Sequence, residues 1–274
     1  MSIAKVGEVN LYYEVHGKGE PLVLIMGFGL RGGHWFEILP KLAKEYRVIV
    51  PDNRGTGRSD TPEMPYTAKM MAGDVAGLLD VLGIEKANVF GYSLGGMVAQ
   101  EFALNYPDRL NNLILGATFC GGKRAVPLTP EAVAFLLDPE RAKLSDEDRA
   151  RATIPWLWNK ESAENNPSIE RFVATYCEYP TTMSGFGNQT PVGVTLDTYD
   201  RLPDIKVPTL VITGTEDRII PYENSKLLAS RIPGAELVII ENAGHGLFVS
   251  DPTEKASKII LDFLRRHSKA RAKN

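Results

Sequence analysis

The chain has 274 residues, 43% of them hydrophobic and 24% charged. Those are the proportions of an ordinary globular protein with a large core, and they exclude global disorder. Lys and Arg number 31 against 34 Asp and Glu, a net charge of −3, so the balance does not point to nucleic acid or an anionic membrane surface as the main partner.

The first residues, MSIAKVGEVNLYYEVHG, contain no continuous apolar run, so no signal peptide is expected. No apolar stretch reaches the roughly 18 residues of a membrane span, and the expected compartment is the cytoplasm. Residues 5–9 and 11–16 read as the two strands of a hairpin. Residues 21–26 (PLVLIM) form a continuous apolar run, as a strand covered on both faces should. Residues 34–44 carry Trp35, Ile38, Leu39 and Leu42 at helical spacing. A second buried strand follows at 47–50 and a helix at 68–82, with Met71, Val75, Leu78, Leu79 and Leu82 on one face. A short strand at 88–91 leads into a helix at 95–105 that Tyr106-Pro107 closes. Further strands are expected at 110–117, 209–214 and 237–241, and a closing helix at 253–266. Strand and helix in this alternation predict a mostly parallel sheet with helices on both faces.

Residues 121–201 break the rhythm. They hold no buried strand run, and a structureless loop of that length is implausible, so a helical insertion is expected there. The basic residues from Arg265 to Lys273 read as a frayed, solvated tail. Cys120 and Cys177 are too few for a disulfide scaffold or a structural zinc site and read as reduced, buried thiols.

The sharpest chemical signal is Gly91-Tyr92-Ser93-Leu94-Gly95, a G-x-S-x-G pattern between a strand and a helix. Such a turn strains the serine backbone and exposes its hydroxyl at a helix N-terminus. A serine hydroxyl is a weak nucleophile and needs a base. Of four histidines, His245 lies in Asn242-Ala243-Gly244-His245-Gly246, just past the last strand, where open α/β sheets bind ligands. Asp217 follows the strand at 209–214 and is the candidate to orient that histidine; Glu216 beside it competes for the role. Three separate loops would thus supply Ser93, Asp217 and His245, in the chain order of one known fold.

On these residues the sequence resembles the α/β-hydrolase family over essentially its whole length. Asp52-Asn53-Arg54-Gly55-Thr56-Gly57-Arg58-Ser59 is similar to that family's D-x-R-G-x-G-x-S loop and reads as a structural turn pinned by Asp52 and Arg54. The stretches 95–100 and 106–109 are similar to the esterase and enol-lactonase branch. The resemblance implies an α/β-hydrolase fold: a mostly parallel eight-stranded sheet flanked by helices, with a helical cap inserted after strand 6. Residues 1–120 and 202–274 would form the core domain and 121–201 the cap, or lid.

The resemblance also implies an oxyanion hole made by the backbone N–H groups of Phe28 and Leu94. Many members carry His-Gly ahead of the first donor, whereas this chain has Met26-Gly27. A rival reading exists for the same stretch, because Gly27-Phe28-Gly29-Leu30-Arg31-Gly32 matches the dinucleotide-binding G-x-G-x-x-G. It lies on the third strand rather than the first, however, and leaves the serine, aspartate and histidine unexplained.

The expected activity is therefore serine-dependent hydrolysis of carboxylic esters or lactones of small, largely apolar molecules, through an acyl-enzyme and without cofactor or metal. C–C bond hydrolysis, acyl transfer and cofactor-free haloperoxidation would use the same three residues, and a receptor-like binding protein with a vestigial set is the alternative from another class. Phe119, Trp156 and Phe248 are the candidates to line the substrate pocket. The wider set of aromatics at Trp158, Phe172, Tyr176 and Phe186 also suggests an apolar site. A small-molecule ester or lactone is the expected partner, with neither nucleic acid nor membrane; the sequence does not fix the oligomeric state.

Overall fold

Apolar runs covered on both faces become the centre of the sheet. In the computed structural model, which describes residues 2–164, 167–248 and 252–268, β1 (Ser2–Val6) and β2 (Val9–His16) are followed by β3 (Glu20–Ile25). After β3 come a 3-10 turn, Gly32–Trp35, and the single helical turn α1 (Leu39–Leu42). The chain continues through β4 (Tyr46–Pro51), α2 (Ala68–Val81), β5 (Ala87–Tyr92), α3 (Leu94–Asn105) and β6 (Leu110–Gly116).

Between β6 and the next strand lie α4 (Pro130–Leu137), α5 (Asp146–Leu157), α6 (Lys160–Glu164), α7 (Ile169–Glu178) and α8 (Met183–Thr195). Then β7 (Thr209–Gly214), α9 (Glu223–Arg231), β8 (Glu236–Ile240) and α10 (Pro252–His267) complete the order. Among the described residues, no helix is long and apolar enough to cross a membrane.

The eight strands run in the order β1-β2-β4-β3-β5-β6-β7-β8. β2 pairs antiparallel with β1 and β4, and every later pairing is parallel. β3 is central: Val23 lies opposite Ile49 on one side and Val89 on the other. Leu22, Val23, Leu24 and Ile25 are wholly buried, which is why that run shows no polar alternation. The Thr67 hydroxyl accepts the Met70 N–H at 3.1 Å and caps α2, whose apolar stripe, including Met71, Val75, Leu78 and Leu79, is buried in the core.

Three local expectations change. The hairpin turn falls at Gly7-Glu8 rather than at Asn10, because Gly7 takes a left-handed φ of 56° and Val6 pairs directly with Val9. The helix expected over 34–44 is broken into the 3-10 turn and α1; Pro40 sits at the first turn of α1, where a missing N–H is tolerated, and blocks continuation from the preceding turn. The supposed frayed tail begins as ordered helix: Arg265 pairs with Glu45 and Arg266 with Glu236, and residues from Lys269 onward lie outside the described residues. Both cysteines are free; Cys120 is buried and Cys177 only half-buried.

Candidate active site

The turn between β5 and α3 is built by close packing. Ser93 has φ 55° and ψ −120°, a left-handed conformation that few non-glycine residues hold. Its neighbours have no room for a side chain. A Cβ on Gly91 would lie 2.1 Å from the Gly95 carbonyl oxygen, and one on Gly95 would lie 2.1 Å from the Ile25 carbonyl oxygen. The strained turn is held by the Ser93 N–H donating to the Gly116 carbonyl at 2.8 Å and by the Thr118 hydroxyl donating to the Ser93 carbonyl at 2.8 Å. β5, β6 and the loop after β6 thus fix the Ser93 backbone.

The sheet brings Ser93, Asp217 and His245 together from the ends of β5, β7 and β8. His245 Nε2 lies 3.0 Å from Ser93 Oγ, and His245 Nδ1 lies 2.7 Å from Asp217 Oδ2. The other carboxylate oxygen, Oδ1, accepts the N–H groups of Ile219 and Ile220 at 2.9 and 2.8 Å. Those two bonds fix the carboxylate plane and point Oδ2 at the imidazole. A carboxylate only accepts, so Nδ1 carries the proton and Nε2 is left to accept from the serine hydroxyl. Glu216, the competing acid, is exposed and takes the Asn159 amide instead, at 2.5 Å.

Two further residues position the histidine, and the sequence reading did not assign them that role. The Tyr92 hydroxyl donates to the His245 carbonyl at 2.8 Å, with ring centroids 5.0 Å apart. Burial, with the Asp217 charge nearby, pushes the Tyr92 pKa well above the usual phenol value, so the hydroxyl remains a donor. Trp158, at the end of α5, donates its indole N–H to the Gly246 carbonyl at 3.2 Å. Tyr92 occupies an unrestricted position of the G-x-S-x-G pattern, and Trp158 is far away in sequence, so no local signal marks either one.

Ser93 and His245 open onto a cavity of about 410 Å³, within the range of small-molecule sites. Its wall includes Phe28, Leu94, Met97, Phe119, Phe186 and Ile220. Leu94 begins α3, where the first N–H groups have no intrahelical partner. The loop after β3 runs directly alongside: a Cβ on Gly27 would lie 3.1 Å from Ser93 Cβ. Within that loop the Gly29 N–H is already taken by Gln189 Oε1 at 2.9 Å, while Gln189 Nε2 donates to the Arg54 carbonyl at 3.0 Å. The Gly32 N–H donates to Asp52 Oδ1 at 2.8 Å, so the acid that a dinucleotide site would turn toward a ribose is wholly buried and engaged by its own chain. Arg54 reaches α2, where it forms a two-pronged pair with Asp74 at 2.6 Å in each arm.

Of the three pocket candidates, Phe119 lines the cavity and the other two do not. Trp156 sits on the outer side of Phe135, stacked at 4.6 Å with an interplanar angle of 16°, beneath the Arg218 guanidinium. Phe248 is buried behind the histidine loop, against Phe90, Tyr92 and Trp35 at 5.0, 5.2 and 5.7 Å. Its ring, 3% exposed, is part of the core. Tyr176 and Phe186 line the cavity, whereas Trp158 and Phe172 pack edge to face beside it. Among the described residues, no group of three or more His, Cys, Asp or Glu is placed to share a metal ion.

The chain matches the family model described as "alpha/beta hydrolase fold" over residues 20–252. It is 32% identical to "Putative carbamate hydrolase RutD" of Azorhizobium caulinodans, with 96% of this chain and 98% of that protein covered. Among solved structures, an enol-lactonase from Burkholderia xenovorans superposes with a TM-score of 0.83 at 29% identity, covering 96% of this chain and all of that one. A thermophilic esterase from Thermogutta terrifontis superposes with a TM-score of 0.81 at 34% identity, covering 97% of each chain. The parallel sheet with its serine turn, the family match along most of the length and these relatives lead to one conclusion, that this chain belongs to the α/β-hydrolase family.

Proposed function

We propose that the protein is a serine hydrolase that cleaves carboxylic esters or lactones of small, largely apolar molecules through an acyl-enzyme. The observation that carries this reading is the continuous line Ser93–His245–Asp217, with contacts of 3.0 and 2.7 Å, at the wall of an apolar cavity. His245 takes the Ser93 proton as the oxygen attacks the carbonyl. Asp217 holds the imidazole tautomer and stabilises the cation that forms. The Phe28 and Leu94 N–H groups receive the developing oxyanion; one such donor is worth roughly 3 kcal/mol. His245 then protonates the departing alcohol, and a water that it activates cleaves the acyl-serine. Residues 121–201 act as a cap that closes the cavity over the serine.

The carbamate hydrolase relative favours a second substrate class, because attack at a carbamate carbonyl uses the same nucleophile and oxyanion donors. The test is labelling with a fluorophosphonate, followed by intact mass and peptide mapping, alongside turnover of short-chain p-nitrophenyl esters. One adduct on Ser93 together with ester turnover is expected. Absence of an adduct overturns the reading in favour of a binding protein.

A further inference from the structure

The cavity wall is apolar apart from a few groups, and Arg141 is its one permanently charged side chain among the described residues. Arg141 follows α4 in a 3-10 turn, Pro139–Lys143. Its guanidinium carbon stands 4.2 Å from the Phe135 ring centroid. One terminal nitrogen donates to the Phe135 carbonyl at 3.4 Å and the other to Thr153 Oγ1 at 3.1 Å. Its Nε is buried and has no hydrogen-bond partner.

Of the nearby carboxylates, Asp146 pairs with Arg149 at 2.6 Å, while Asp138 accepts the Glu140 N–H at 2.9 Å and acts on Arg141 only through space, without an ion-pair contact. Among the described residues, no ion pair neutralises Arg141. A second polar group lies on the same wall. The hydroxyl of Tyr176, a residue only 3% exposed, has the Arg149 guanidinium as its neighbour, which can only donate to it, and finds no acceptor for its own proton. Buried polar groups are nearly always satisfied, and a cation without a counter-charge beside a hydroxyl without an acceptor is costly unless a ligand completes them. Carboxylates and phosphates both accept from a guanidinium N–H and a phenol O–H while carrying negative charge, and of the two a carboxylate is the smaller and the less costly to bring out of water into an apolar cavity.

We propose that Arg141, with Tyr176, sets the specificity of this cavity by receiving a carboxylate that the substrate carries apart from the bond cleaved at Ser93. Substrates are then acidic esters or lactones, with an apolar body against the Phe119 and Phe186 side of the wall and one ionised end at the helical insertion. This rests on the hydrolase reading above and narrows its substrate class.

The test compares kcat/KM within pairs of similar size. In one pair the carboxylate is on the acyl part: the p-nitrophenyl half-ester of glutaric acid against p-nitrophenyl pentanoate. In the other it is on the alcohol part: 4-acetoxybenzoate against phenyl acetate. The expected result is a preference of about tenfold or more for the acidic member of at least one pair. Arg141→Met should reduce that ratio to near one, mainly through KM, and Arg141→Lys and Tyr176→Phe should reduce it by less. The ratio is internal to each variant, so partial loss of folded protein cancels. No acidic preference in either pair, or a ratio unchanged in Arg141→Met, overturns the proposal. Failure of the hydrolase reading would look different: the natural chain would then turn over none of the four esters, or Ser93→Ala would retain their turnover.

Discussion

The backbone of Gly246 is bonded in both directions to the C-terminal end of α5: its N–H donates to the Leu157 carbonyl at 2.7 Å, and its carbonyl accepts the Trp158 indole N–H at 3.2 Å. The residue next to His245 is therefore held by the helical insertion and not by the sheet alone. A Cβ at position 246 would sit 2.6 Å from Trp158 Nε1 and 3.1 Å from the Leu157 oxygen. If His245 is the base proposed above, Gly246→Ala is expected to displace it and lower kcat by roughly 10–100-fold, because small misplacements of catalytic groups are that costly. Steady-state ester kinetics, with circular dichroism to show an intact fold, check this.

On the proposed mechanism, Ser93→Ala should lower kcat by roughly 10⁴–10⁶-fold, with the residual rate supplied by the proposed oxyanion donors and binding. The alanine meets the same φ of 55° as the serine, so no new backbone strain enters and the melting temperature should change little. Single-turnover measurements on an activated ester, with a melting curve on the same sample, test both halves.

His34 predicts an acid sensitivity of the fold. It is fully buried, its Nδ1 lies 3.1 Å from the Arg31 carbonyl, and burial pulls its pKa down to about 3. Between that value and the ordinary 6.5, the unfolded chain binds a proton that the folded chain refuses. Stability from this group is complete above pH 6.5 and falls as the pH drops toward 3, at about 1.4 kcal/mol per pH unit. His34→Asn can keep a donor to the Arg31 carbonyl and removes the titration. Urea unfolding at pH 6.5 and 5 should show the natural chain losing about 1.6 kcal/mol more than the variant.

The Arg54–Asp74 pair is enclosed, with side-chain exposures of 8% and 10%. Asp74→Ala would leave the guanidinium buried without its partner, and a loss of about 3–5 kcal/mol is expected from urea unfolding. The charge-reversed double variant should recover only part of that, because the donors of a guanidinium and the acceptors of a carboxylate are not interchangeable.

The parts of the site that local rules govern could be read from the sequence. A serine between glycines at a strand-to-helix turn must lie at the sheet edge, and the loops after β7 and β8 must reach the same edge. The structure brings Ser93, Asp217 and His245 within hydrogen-bond reach there. The choice between Asp217 and Glu216 was not legible, since it depends on two N–H groups from Ile219 and Ile220. α9 was missed because its sequence, ENSKLLASR, is mostly polar, and the element buries Asn224 and Ser225 beside Leu228. Trp156 and Phe248 lie off the cavity wall for a different reason. Spacing gives the element a side chain occupies, but the direction it faces depends on Phe135 and Trp35, which other parts of the chain supply.

Gln189 makes α8 a strut. Its amide spans two loops of the sheet edge by binding backbone atoms only, the Gly29 N–H and the Arg54 carbonyl. Among the described residues α4 has no such tie to the sheet edge: of its residues only Ala132 is buried, and Val133 and Leu137 are exposed while facing the cavity. The two helices therefore differ in how freely they can be rewritten. Replacing α8 would disturb the loop beside Ser93, whereas α4 can be exchanged for a helix of another shape or polarity with the reacting groups left in register. Selection or engineering that retunes the apolar side of this cavity would accumulate its changes in residues 130–137, sparing Phe135, whose carbonyl and ring hold Arg141.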